Sequence, residues 1–147
     1  MQWCRNVQLS IIAVIAMMGC VAPQSVEMEA VNPRAWREPS IILFENEDTL
    51  SLRRLSVALR YNHDFQHDTL AVRINVSLPD AGQFSERVVL RLRRNGTQAP
   101  VATSESVPYR EHSLLAQKGN YIFTISPESP VRGIEAVGVV VEREEIE

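Results

Sequence analysis

Alternation of apolar and polar residues is the main pattern of this 147-residue chain. From Leu70 to Leu78, five aliphatic residues occupy every second position, and mostly polar residues stand between them. Successive side chains of a strand point to opposite faces, so this pattern predicts a half-buried β-strand. The segments Leu50–Tyr61 and Val88–Leu92 alternate in the same way and predict two more strands.

Composition predicts three further strands, because β-branched and aromatic residues cluster between turn residues at 40–44, 121–125 and 134–142. Asn95-Gly96 predicts a tight hairpin turn that leads back into 101–103. The periodicity fails from Ser104 to Lys118, where we expect a loop or a short helix around 113–117.

After Cys20, no stretch of ten or more residues has helical periodicity. Seven or eight short strands at fairly regular spacing, with Pro and Gly between them, predict an all-β fold. The architecture we expect is a single antiparallel β-sandwich. Hydrophobic residues make up 45% of the chain, which is enough for a core without crosslinks.

The N-terminus has a different pattern. Leu9–Met18 is a run of ten residues, all apolar except Ser10, which is too short to span a bilayer but matches the core of a secretory signal peptide. Gly19-Cys20 follows, so the segment resembles the lipobox of bacterial lipoproteins. The domain plan is therefore a signal peptide at 1–19, a lipidated Cys20 with a polar tether at 20–39, and a β-sandwich domain at 40–147. The alternative is an ordinary secreted protein cleaved after Ala22.

The lipobox resemblance implies acyl chains on Cys20 and a stable membrane anchor, because two or more chains hold a protein on a bilayer. The domain would then face the periplasm or the cell surface, and we favour the outer membrane over the inner one. The chain has two cysteines. Cys4 leaves with the signal peptide and Cys20 carries lipid, so no disulfide is expected.

Charge is unevenly distributed along a chain whose formal net charge is −3. Eight arginines stand against four acidic residues between Arg53 and Arg94. Five arginines lie on the polar phase of their strands, so we expect them on one outward sheet face: Arg60, Arg73, Arg87, Arg91 and Arg93. Such a face would bind an anionic partner, or the arginines would pair with acidic residues on neighbouring strands. Nucleic acid does not suit this charge and compartment.

Evidence for an active site is weak. His63 and His67 flank Asp64 in a polar segment between two predicted strands, which is a loose match to a zinc site. The chain has no Gly-x-Ser-x-Gly motif, and no pair of acidic residues is singled out by spacing. We therefore expect no catalytic residues, no cofactor and no metal, and we keep a metal-dependent hydrolase as the least favoured hypothesis.

Several landmarks are shared with one family. They are the lipobox, Trp36 ahead of a strand that ends in Phe44, the segments 59–62 and 119–123, and Gly133-Ile134 followed by Val137-Gly138. In these landmarks the chain resembles the gliding-motility-associated lipoprotein H family of Bacteroidota. The resemblance implies a single-domain envelope lipoprotein that is needed for gliding in gliding species, with no catalytic residues. The stretch 95–118 departs from the family pattern, because it has one Gly and no Trp.

Two functions follow as hypotheses. The first is a membrane-anchored lipoprotein with a structural or assembly role, acting through envelope protein partners. The second is a β-sandwich that binds an anionic glycan or a lipid headgroup through the arginines.

Overall fold

The computed structural model describes residues 24–93 and 102–145. It confirms an all-β sandwich, in which eight antiparallel strands form two four-stranded sheets. The strands are β1 (Gln24–Ala30), β2 (Ser40–Asn46), β3 (Leu52–Tyr61), β4 (Thr69–Ser77), β5 (Gln83–Arg91), β6 (Thr103–Leu114), β7 (Gly119–Pro127) and β8 (Ile134–Arg143). Sheet 1 has the order β1-β8-β3-β6, and sheet 2 has the order β2-β7-β4-β5. Within this part of the chain, no helix has the length and hydropathy needed to span a membrane.

Strand pairing follows a nested pattern. β4 pairs with β5, β3 with β6, β2 with β7 and β1 with β8, all antiparallel. The chain therefore forms one long double-stranded ribbon that rolls up, and β3–β8 and β4–β7 contacts close the two sheets. This is the topology of a jelly roll, in which two Greek keys share one core.

The core lies between the sheets and uses the apolar phase of each central strand. Val57, Ile74, Phe123 and Val137 are all fully buried there. The predicted alternation of β4 is confirmed: its inward residues are buried, and its outward residues are exposed or partly exposed. Burial of such aliphatic side chains contributes roughly 1.5–3 kcal/mol each.

Trp36 and Phe65 close one end of the core. Trp36 forms an isolated β-bridge with Val131, and its indole N–H donates to the Glu38 carbonyl at 2.8 Å. Gly133 packs against the backbone of Phe65 with φ of 89°, and a Cβ at this position would lie 2.2 Å from the Phe65 nitrogen. Only glycine fits both the backbone conformation and the close approach.

The sandwich has two ends. We call the end at which the chain enters β1, at Gln24, the proximal end. The loops 47–51, 78–82 and 115–118 lie next to one another there. The buried amide of Asn46 donates there to the carbonyls of Leu115 and Gln117. The distal end carries the loops 31–39, 62–68 and 128–133, which are joined by backbone hydrogen bonds.

The structure differs from the sequence expectations in two segments. Residues 24–30, expected within a polar tether, form β1, and Trp36 is buried, so the folded domain begins before residue 40. Residues 104–114, part of the segment 104–118 that was expected to be a loop or to contain a short helix, belong to the edge strand β6. Both are edge strands, whose pairing does not require strict apolar alternation. The predicted signal peptide and the hairpin turn at 95–96 lie outside the described residues.

Candidate interaction face

Three of the five predicted arginines lie together on the outer face of sheet 2. Arg73 on β4 is directly opposite Arg87 on β5, and Arg91 lies further along β5 opposite Thr69. All three arginines are exposed. Directly opposite side chains in a sheet have Cβ atoms about 5 Å apart, so two guanidinium groups share one small area. We call this surface the arginine face; it comprises the outward residues of sheet 2 around Arg73, Arg87 and Arg91.

One carboxylate lies within this surface. The Arg87 guanidinium donates to both carboxylate oxygens of Glu128, through Nε and, at 3.0 Å, through Nη2. These hydrogen bonds lower the pKa of the Glu128 carboxyl and raise the pKa of Arg87. Among the described residues, neither Arg73 nor Arg91 has a carboxylate within 4.0 Å. Arg73 and Arg91 therefore form no ion pair among the described residues, although the charge of Arg73 also acts on Glu128 at longer range.

The other two predicted arginines lie elsewhere. Arg60 is on β3 and points outward from sheet 1, where its Nε donates to Glu135 at 3.2 Å. Arg93 follows the end of β5 at the distal end, and its backbone N–H donates to Glu105 at 2.8 Å. The expectation that all five share one face is wrong, because β3 belongs to the sheet opposite β4 and β5.

An apolar corner that the alternation of the strands did not predict lies on the same face of sheet 2. Ile41 and Leu43 on β2 are 63% and 54% exposed, and Ile122 on β7, opposite Leu43, is 38% exposed. The signal was present in Ser40–Phe44, where apolar residues occupy both phases of the strand. A strand with one buried face does not need apolar residues on its outward side. Exposed apolar residues on that side therefore indicate a contact surface.

The outer face of sheet 1 has a different chemistry. Arg54 lies 3.3 Å from Glu111 and Arg60 lies 3.2 Å from Glu135, so both outward arginines of β3 have acidic partners. Small residues occupy the centre of this face, with Gly138 on β8 in register with Met28 and Ala58 on the strands beside it.

The proximal end is also rich in ion pairs. Asp48 accepts from Ser51 Oγ at 2.6 Å and from the Leu50 and Ser51 backbone N–H groups. These hydrogen bonds, with Arg143 nearby, hold the pKa of the Asp48 carboxyl well below its usual range. Arg53 and Arg143 both reach the same carboxylate, which fixes the loop that joins β2 to β3.

The two histidines do not form a metal centre in this structure. His63 lies 3.6 Å from Asp64, and His67 contacts the Phe65 ring edge-on. No group of three or more His, Cys, Asp or Glu side chains that could hold a metal ion occurs in residues 24–93 and 102–145. The metal-dependent hypothesis therefore gains no support from the positions of the two imidazoles.

These features define a class: a jelly-roll sandwich whose candidate site is an exposed sheet face at the surface of the fold. The family model described as GldH lipoprotein matches residues 25–141, which run from the start of β1 almost to the end of β8. The chain therefore belongs to the GldH lipoprotein family, and the resemblance seen in the sequence is confirmed. A search of curated proteins finds no match.

Proposed function

We propose that this protein is an envelope lipoprotein that is anchored by acyl chains on Cys20 and acts through protein contacts in the gliding machinery or the associated envelope apparatus. The observation that carries the proposal is the family match over 25–141, which begins five residues after Cys20. The role is structural, without catalysis or a cofactor. The membrane we favour is the outer one.

The position of β1 supports a specific geometry for the anchored state. The first residue of β1, Gln24, is only four residues after Cys20. Four residues span at most about 14 Å when fully extended. The proximal end therefore stands close to the membrane surface, whereas a tether of some twenty residues would have held the domain away from it.

Replacement of Cys20 tests the anchor. In cells fed with an alkyne fatty acid, wild-type protein and the control Cys4→Ala are expected to carry the label and to sediment with membranes. Cys20→Ala is expected to lose the label and to appear as a folded protein in the soluble fraction. A Cys20→Ala protein that keeps the label or stays with the membranes would show that the lipidation proposal is wrong.

Deletion and complementation test the role. In a gliding host, loss of the gene is expected to abolish colony spreading, and wild-type protein is expected to restore it. Cys20→Ala, expressed at the same level, is expected to restore spreading poorly, because the free domain no longer concentrates at the membrane. Full spreading in the deletion strain would contradict a role in gliding.

A further inference from the structure

We propose that the arginine face, together with the apolar corner of Ile41, Leu43 and Ile122, binds an acidic segment of a partner protein that also carries aliphatic residues. This inference deepens the proposed function by stating the chemistry of the partner. It does not depend on lipidation of Cys20, because the surface is formed by the folded domain alone.

The first argument for the proposal is a pair of like charges that does not stabilise the fold. Like charges directly opposite each other on neighbouring strands destabilise a sheet, and Arg73 faces Arg87 in this way. Glu128 compensates only one of the two guanidinium groups through hydrogen bonds. Arg73 has no carboxylate within 4.0 Å among the described residues and acts on Glu128 only at longer range, so its guanidinium N–H groups can still pair with a carboxylate from outside.

Uncharged polar groups surround the arginines. Asn75 pairs in register with Ser85 on one side and with Thr124 on the other, and Ser126 lies beside Arg73. All four side chains point outward with the arginines, because directly paired residues share a face. They supply hydrogen-bond donors and acceptors for a partner backbone next to its carboxylates.

The apolar corner adds the second component of the surface. β2 and β4 are separated only by β7, so Ile41 lies about 10 Å across the sheet from the β4 row that includes Asn75. A chain segment lying across the strands would contact both regions at once. The combination of unpaired cations with exposed aliphatic side chains is complementary to a segment that mixes Asp or Glu with Leu, Ile or Val.

The same surface is less suited to a glycan. The outward residues of the four strands of sheet 2 include no aromatic side chain on which a sugar ring could stack. Strand addition at the β2 edge is also disfavoured, because the Glu29 carboxylate already accepts the outward N–H of Ile41 at 2.7 Å. We therefore expect the partner to contact the flat face of sheet 2 and not the β2 edge.

Site-specific photo-crosslinking in cells tests the proposal with the full-length protein. A photoreactive amino acid at Ser85 is expected to form one major protein adduct, and mass spectrometry is expected to place the adduct in a segment rich in Asp or Glu with aliphatic neighbours. The double variant Arg73→Glu/Arg91→Glu should reduce the adduct about tenfold, since it replaces attraction by repulsion. The matched control is Arg34→Glu/Arg37→Glu, two exposed arginines of the distal loop 31–39 without ion pairs among the described residues, and it should leave the adduct unchanged.

A binding assay with defined probes separates the alternatives. Purified full-length protein in detergent is expected to bind an alternating Glu-Leu peptide more tightly than a Lys-Leu peptide, an acidic polysaccharide or phosphatidylglycerol vesicles. The Arg73→Glu/Arg91→Glu variant should lose the salt-dependent part of this binding. Leu43→Ser should weaken binding by a similar factor at low and high salt.

Three results would overturn the inference: tighter binding of the polysaccharide or the vesicles than of the acidic peptide, an adduct that persists after charge reversal, or no protein adduct at Ser85. None of these results bears on the membrane anchor, which the Cys20→Ala fractionation tests separately. Conversely, the peptide-binding assay uses purified protein, so its result does not depend on whether Cys20 carries lipid.

Discussion

The outer faces of the two sheets use arginine in opposite ways. On sheet 1, Arg54 and Arg60 lie against Glu111 and Glu135, so each positive charge is balanced within the fold. On sheet 2, Arg73 lies directly opposite Arg87 on the neighbouring strand, and among the described residues Glu128 forms hydrogen bonds with Arg87 alone. An outward arginine thus forms an ion pair within the fold on sheet 1, whereas Arg73 on sheet 2 forms none among the described residues. The number of charged residues does not distinguish these two kinds of arginine, whereas the acidic side chains next to each arginine do.

The largest expected difference between the two outer faces is in the loss of stability when a larger side chain is introduced. A Cβ at Gly138 would lie 2.2 Å from the Glu27 carbonyl oxygen and 2.6 Å from Met28 Cγ. Gly138→Val is therefore expected to lower the free energy of unfolding by about 3 kcal/mol, because β1 must move away from β8. Thr124→Val, on the corresponding central strand of sheet 2, should stay within about 0.5 kcal/mol. Urea denaturation measures both, and equal effects would show that the two faces are packed alike.

Reversal of a paired charge should have a smaller effect. Arg60→Glu removes the ion pair with Glu135 and places two carboxylates next to each other on sheet 1. We expect a loss of about 1 kcal/mol in the free energy of unfolding at low salt, because exposed pairs contribute little and the new repulsion adds to the loss. The loss should shrink in high salt. A change that is independent of salt would point to packing of the Arg60 side chain instead.

Removal of the Glu128 carboxylate should increase the positive charge of the arginine face. Glu128→Gln frees the Arg87 guanidinium, so binding of the alternating Glu-Leu peptide is expected to strengthen about threefold. Because hydrogen bonds from Arg87 lower the pKa of Glu128, this carboxylate stays ionised at pH values below the usual pKa of a glutamate. Its contribution to stability is present above the usual pKa and is lost only as the pH falls through the lowered pKa.

Peptide binding by the wild-type protein should change little between about pH 6 and 8, because the outward residues of sheet 2 include no histidine and the glutamates of the peptide are ionised in this range. Binding isotherms across this range check the prediction. A steep fall above pH 6 would indicate that a histidine takes part.

The smallest expected effect on the free energy of unfolding is an increase. Arg73→Glu replaces a like-charge neighbour of Arg87 by an opposite charge, and the unfolding free energy is expected to rise by at most about 0.5 kcal/mol. The same variant should weaken peptide binding. Thermal melting combined with the binding assay checks both parts. A variant that loses stability and binding together would show that Arg73 supports the fold, as Arg60 does.

Much of this fold is predictable from local sequence, because the core strands carry their burial pattern in single segments. β4 is the clearest case, since its aliphatic residues alternate without a break and the inward ones are all buried. β1 and β6 escaped prediction for the same physical reason. Edge strands are held by backbone pairing along one side, and β6, with few aliphatic residues and with Pro108 in its middle, has no apolar phase to detect.

The candidate site was only partly predictable. Alternation correctly places Arg73 and Arg87 outward, but it does not say which strands become neighbours. The pairing of β4 with β7, and the separation of β3 into the other sheet, depend on contacts between distant parts of the chain. Alternation therefore predicts the wrong surface for Arg60, and the proximity of Glu128 to Arg87 does not follow from their separation in sequence.

In the proposed anchored state, the antiparallel pairing of β1 with β8 would determine how the protein bears force. Seven residue pairs join the two strands, from Gln24 with Glu142 to Ala30 with Ala136. Tension between a lipid on Cys20 and a partner held on sheet 2 would run along the axis of β1. It would load all seven pairs in shear at the same moment, and not peel them apart one after another. The segment whose sequence suggested a passive tether would then be the strand that transmits mechanical load from the membrane into the sandwich.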